Sequence, residues 1–112
     1  MNSADQSVIK SAEVKQLSDL LQYQDGAIVS RVLLKNKGGT VTMFAFDVGE
    51  GLSEHTAPFD ALLVVTDGAA DVAIAGEDFK LREGETIILP ANQPHAVRAA
   101  TKFKMLLIMI RA

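Results

Sequence analysis

The sequence predicts an all-β domain built as an antiparallel sandwich or barrel, and three observations carry that prediction. The apolar residues fall in short runs rich in Val, Ile and Leu, glycine turns separate those runs, and a single stretch near the start has helical spacing. Strands that follow one another without intervening helices exclude a βαβ architecture. At 112 residues and 12.0 kDa, the chain makes one domain with a core of its own. We read residues 1–112 as that domain, with 1–10 a polar N-terminal segment and the barrel running from about 27 to 111.

Val14, Leu17, Leu20 and Leu21 recur at helical spacing and predict a short amphipathic turn or helix packed across one barrel end. Asp25-Gly26 is a turn, and Ala27 to Lys35 the first strand, with Arg31 and Lys35 on one side. After the loop Asn36 to Gly39, Thr40 to Val48 is a second strand. Thr42, Phe44 and Phe46 share one of its faces and Val41, Met43 and Ala45 the other, and parity alone does not say which is interior. Ala61 to Thr66 is a nearly continuous aliphatic strand that Asp67-Gly68 turns back. Ala70 to Ala75, a turn at 76–78, and a pairing segment through Phe79 and Leu81 follow. Glu83-Gly84 leads to a short strand, Thr86 to Leu89. The rigid loop Pro90 to Pro94 then delivers His95, which begins a strand to Ala99. Phe103 to Ile110 is apolar on both faces and must lie between two covers.

Composition narrows the function classes. The chain has no cysteine, which removes disulfides, thiolate nucleophiles and thiolate metal ligands together. Net charge is −3 and the basic residues are scattered, so nucleic acid is not an expected partner. Aromatics are 5% of the residues, with no tryptophan, so a stacking platform for bases or sugars is poorly supplied and a pocket should be aliphatic. No apolar run approaches the roughly 20 residues of a membrane-spanning helix, and no membrane partner is expected. The opening MNSADQSVIK has neither a basic leader nor an apolar h-region, which makes the cytoplasm the expected location.

Two stretches carry the chemistry: Gly49 to Gly68, GEGLSEHTAPFDALLVVTDG, and Gly84 to His95, GETIILPANQPH. Together they resemble the two motifs of the cupin family, over roughly residues 40 to 110. Gly49, His55 and Gly68 occupy their places in the first motif, and Gly84, Pro90 and His95 in the second. The family's second histidine falls on Ala57, its glutamate on Ala61, the second motif's later glycine on Asn92 and its asparagine on Ala99. The resemblance implies a jelly-roll, or double-stranded β-helix, barrel.

It also implies a site facing the barrel interior. In metal-binding cupins three histidines and a glutamate hold a divalent transition metal, whereas this chain supplies His55 and His95, which are the metal and catalytic candidates. The implied cofactor is therefore at most a weakly bound divalent metal (Fe, Mn, Ni, Cu or Zn) completed by water. Asp60 and Glu54 neighbour Ala61 and His55, so strand alternation turns both away from the lumen unless a bulge restores Asp60. Small side chains at Ala57 and Ala61 leave space that a ligand fills or that Met43, Leu63, Met105 or Met109 packs. Phe59 either caps the mouth or anchors the core, and Asn92 and Gln93 offer amides to a ligand or to their own turn.

Three functions remain open. The leading one is a small barrel binding a small organic molecule at His55, Ala57, Ala61, Leu63, Met43, Phe59 and His95. The second is a metal-dependent oxygenase, isomerase or lyase using His55 and His95 with waters. The third is a non-catalytic interaction protein. Leu62, Val64, Leu106, Ile108 and Ile110 exceed what a narrow barrel can hide if parity turns them outward, which predicts a homodimer.

Overall fold

The computed structural model describes residues 8–111. It contains nine strands: β1 (Ile28–Asn36), β2 (Gly39–Phe46), β3 (Gly51–His55), β4 (Asp60–Asp67), β5 (Ala69–Ile74), β6 (Glu77–Arg82), β7 (Thr86–Leu89), β8 (His95–Ala99) and β9 (Phe103–Ile110). Five form one sheet in the order β1-β2-β9-β4-β7 and four form the other in the order β3-β8-β5-β6, with every pairing antiparallel. The all-β jelly-roll expectation is met. One strand more than expected is present: β3, whose last residue is His55. Its sequence, GLSEH, lacks the β-branched and aromatic residues that announce a strand.

The core lies between the sheets. Phe46, Leu63, Val65, Phe103 and Met105 from the large sheet meet Val72, Leu81 and Val97 from the small one in one buried cluster. The rings of Phe46 and Phe103 stack with centroids 4.4 Å apart and an interplanar angle of 7°. Contacts of this kind add about 0.5–1.5 kcal/mol to the burial of the rings themselves.

Register settles the parity of β2. Thr42, Phe44 and Phe46 stand opposite Leu107, Met105 and Phe103 and face the core, whereas Val41 and Met43 pair with Ile108 and Leu106 on the outer face. Leu62 and Val64 pair with the same two residues from the other side, so the outward set named from sequence is turned outward.

The expected short N-terminal turn is present: among the described residues of this segment the regular element is a 3-10 turn, Leu17–Asp19, with no side-chain cap, and Val14 is fully exposed. Its placement differs from expectation. A three-residue turn cannot sustain an α-helix without an apolar face against the protein. Instead of crossing a barrel end, the segment runs along the outer face of the large sheet. Ile9 N–H donates to the Leu33 carbonyl (3.1 Å), Arg31 Nη1 to the Leu20 carbonyl (3.0 Å) and Lys104 Nζ to the Ser18 carbonyl (3.2 Å). Met43 and Ala45, both fully buried though outward-facing, lie in the part of the sheet where this cover docks.

Two turns show why the motif positions hold the residues they do. Gly68 has φ +73°, and a Cβ there would collide with the Lys102 carbonyl oxygen, so glycine is required twice over. Asn92 has φ +65°. Asparagine tolerates the left-handed region better than other non-glycine residues, and its N–H donates to the Ala57 carbonyl at 2.7 Å. That bond ties the loop before His95 to the segment after His55.

Candidate functional site

His95 opens β8 on its inner face, two residues before the core residue Val97. His55 closes β3 and is its register partner. Leu52 pairs with Val97 and His55 with His95, so three steps along β3 match two along β8. An even spacing preserves the face of a strand and an odd one reverses it, so Leu52 and His55 would point to opposite sides of a regular strand. The bulge at Ser53–Glu54 absorbs the extra residue and restores His55 to the inner side.

The two imidazoles meet with Nε2 atoms 3.2 Å apart, ring centroids 4.4 Å apart and planes at 70°. Each Nδ1 is held by a backbone carbonyl two residues earlier in its own chain: Ser53 O at 3.0 Å for His55 and Gln93 O at 3.2 Å for His95. A carbonyl oxygen only accepts, so each Nδ1 carries the proton and donates. In the neutral rings both Nε2 atoms therefore hold lone pairs, and both lone pairs are aimed at one region of space. Facing lone pairs at that distance call for an electrophile: a proton, the N–H or O–H of a ligand, or a metal ion.

A proton held by the pair itself is disfavoured. His95 is 7% exposed, and burial, followed by the neighbouring His55, lowers its pKa below the ordinary imidazole value, against a smaller opposing effect of the Gln93 carbonyl. At neutral pH the ring is a neutral acceptor. His55 is exposed, so the pair spans the boundary between barrel and solvent.

The remaining candidates divide. Ala57 and Ala61 belong to the connection and strand that follow His55, with Ala61 buried in the core cluster beside Leu63. Leu63 is fully buried and faces the core. Phe59 is half-buried, with the Arg111 guanidinium 5.3 Å from its ring centroid. Met43 stands on the opposite face of the large sheet from Leu63 and is not brought to the histidines. Asp60 is exposed, and its Oδ1 accepts from Ala91 N–H at 2.8 Å, so it fastens the loop leading to His95. Glu54 lies in the bulge and is exposed.

Among the described residues no group of three or more His, Cys, Asp or Glu side chains could hold a metal. The residues present thus supply half a coordination shell, not the four-ligand centre of the resembled family. Sequence reasoning missed the carbonyls of Ser53 and Gln93, which fix both tautomers. Backbone acceptors leave no mark in residue identity, although the Pro-bounded loop at 90–94 was a signal for a rigid approach to His95.

Comparison with known proteins agrees with this architecture. A family model described as "Cupin domain" matches residues 42–111. Among solved structures, a conserved protein of unknown function from Streptococcus pyogenes is 32% identical, with TM-score 0.87 over 93% of this chain and 91% of that one. A cupin superfamily protein from Desulfitobacterium hafniense is 23% identical, with TM-score 0.85 over 95% and 96% of the two chains. A cupin 2 conserved barrel domain protein from Leptotrichia buccalis is 41% identical, with TM-score 0.81 over 84% of this chain and 46% of that one. The search of curated proteins gives no match.

Proposed function

The chain belongs to the cupin domain family, and from that premise we propose that it is a small barrel that binds a small organic molecule bearing a hydroxyl or amine donor. The observation that carries this reading is the convergence of the His55 and His95 Nε2 lone pairs, 3.2 Å apart, with both Nδ1 protons committed to backbone carbonyls. A pair of neutral acceptors recognises a donor and repels an anion, so hydroxyl- and amine-bearing compounds are preferred over carboxylates. The alanines at 57 and 61 leave the flanking wall apolar and uncharged. An NMR fragment screen tests this. Alcohols and neutral amines should shift the amides of Ala57, Ala61 and Ala96, and His55→Ala should remove the response. Hits indifferent to both His55→Ala and His95→Ala would sink it.

One observation favours a second reading, a weakly held divalent metal. Two nitrogens bound to a tetrahedral metal at about 2.0–2.1 Å lie about 3.3 Å apart, close to the 3.2 Å separation here. Ring N–H bonds to carbonyls also orient metal-ligating histidines. His55 and His95 would hold the ion with water in the other positions, and the ion would supply Lewis acidity there. Calorimetric titration of metal-free protein with Zn²⁺ separates the readings: heat abolished by His95→Ala supports the metal, and its absence removes it.

The outer face of the large sheet supports a homodimer. Leu34, Val41, Ile108, Leu62 and Ile88 are successive register partners, one from each strand, and form an aliphatic row across all five. Leu34 and Ile88 are more than half exposed. The N-terminal segment covers the Met43 and Lys104 end of the same face, so the interface would be centred on this row.

A further inference from the structure

Two rows of side chains face each other across the barrel at the level of the histidines. On the small sheet His55, His95 and Ile74 are successive register partners on β3, β8 and β5. On the large sheet Thr42, Leu107 and Leu63 are successive partners on β2, β9 and β4. The turn at 100–102, which joins β8 to β9, fixes their relative height. Ala99 and Phe103 flank it, Val97 and Met105 are the next inward-facing residues, and His95 and Leu107 follow. His95 is thus level with Leu107, and the register carries that level to His55 on one sheet and to Thr42 on the other. We propose that Thr42 is the third polar contact of the histidine site and that the group the site takes is the hydroxyl of an aliphatic alcohol. This rests on the histidine pair being a donor-binding site, and it narrows the class of ligand.

Thr42 shares the inner side of β2 with Phe44 and Phe46, whose rings stack with centroids 6.0 Å apart. It is the polar member of its row, since Leu107 and Leu63 are aliphatic. Its hydroxyl makes no hydrogen bond among the described residues. Unlike the enclosed Thr66 Oγ1, it belongs to a half-buried residue and is not sealed into the core. A hydroxyl enclosed without a partner is costly, whereas one left open on an inner face is available to a ligand.

The two sides offer different bonds. Both imidazole Nε2 atoms are acceptors, because each Nδ1 holds the proton. A threonine hydroxyl donates and accepts. Facing sheets lie about 10 Å apart, close enough for one small group to touch side chains of both. A ligand hydroxyl placed there donates its proton to an imidazole and accepts the Thr42 proton on its lone pair. An ammonium donates to an imidazole too, but it has no lone pair and leaves the Thr42 proton unused. Ile74 beside His95 and Leu107 beside Thr42 are both half-buried, so aliphatic surface flanks the polar groups on either sheet and suits a saturated carbon skeleton.

NMR titration of the intact protein with isobutanol, and separately with isobutylammonium, is the test. Isobutanol should shift the Thr42, Ala96 and Leu107 amides. Thr42→Val removes the hydroxyl with little change of shape and should weaken isobutanol binding about threefold to tenfold, leaving the response to isobutylammonium unchanged. Thr42→Ala should weaken it at least as much, and Thr42→Ser should bind as the parent does. Isobutanol binding equal in the parent, Thr42→Val and Thr42→Ala, yet lost in His55→Ala, would overturn this inference and leave the histidine reading standing. A loss in Thr42→Ser as large as in Thr42→Val would make shape the determinant and overturn it as well. Isobutanol binding indifferent to both His55→Ala and His95→Ala, or no response of the parent, would remove both readings together.

Discussion

His55 faces His95 although β3 holds one residue more than β8 between their two registered pairs, Leu52–Val97 and His55–His95, because the bulge absorbs it. Deleting Glu54 removes the surplus and leaves an even spacing from Leu52, so a regular strand keeps His55 on the inner side with the core residues of both sheets in place. The deletion variant should fold, keep its binding of donor-bearing fragments, and leave the His95 ring titrating below its ordinary pKa, because the neighbouring His55 that contributes to lowering it stays in place. NMR titration of the His95 ring protons reads this. A His95 pKa returned to its ordinary value would contradict the parity argument.

Acid should weaken the fold through His95. Its folded pKa is lowered, chiefly by burial, so the unfolded chain takes up the proton more readily. The stability this contributes is present above the ordinary imidazole pKa of about 6.5 and is lost as pH falls through and below it. Thermal melts from neutral pH down to about pH 5 should show a declining Tm, and His95→Gln should flatten that decline. Parallel curves for the two proteins would refute the assignment.

Phe103 is fully buried against Phe46. Phe103→Ala should cost about 3–5 kcal/mol, measured by urea unfolding. A loss below about 1 kcal/mol would mean that the two sheets repack around the void.

Gly68→Ala should destabilise by more than about 1 kcal/mol, since it adds a Cβ both at a positive φ and against the Lys102 carbonyl. Asn92→Gly, at a comparable φ, should be nearly neutral to the same urea measurement. Equal losses at the two positions would show that backbone conformation alone, without the collision, governs Gly68.

A charge in the aliphatic row should separate the protomers. Leu62→Lys and Ile88→Asp each place a charge on the outer face between apolar register partners. Light scattering should report a dimer for the parent and a monomer for both variants, with unchanged circular dichroism. A monomeric parent would remove the dimer.

The sequence made the architecture legible because period-two patterning and glycine turns are local signals. Eight strands could be read from them, from Ala27 to Ile110, close to their observed places. β3 escaped because GLSEH has one apolar residue, Leu52, and pairs through a bulge that no residue type announces. The N-terminal leucines read as a short turn or helix, and the 3-10 turn at Leu17–Asp19 is the shorter of the two, since Val14 has nothing to pack on. His55 and His95 were legible as a pair from motif spacing, and the structure places their rings together. Met43 was drawn toward them because alternation cannot tell the inside of a sheet from the outside when both faces are apolar.

Both imidazoles take their orientation from carbonyls two residues upstream, on their own strand or loop. The aim of each ring is consequently a local property of its backbone and depends on no side chain across the barrel. Substitutions in the surrounding wall can therefore alter which molecule fits without disturbing the grip, so related chains sharing this pair can diverge in what they hold while keeping how they hold it.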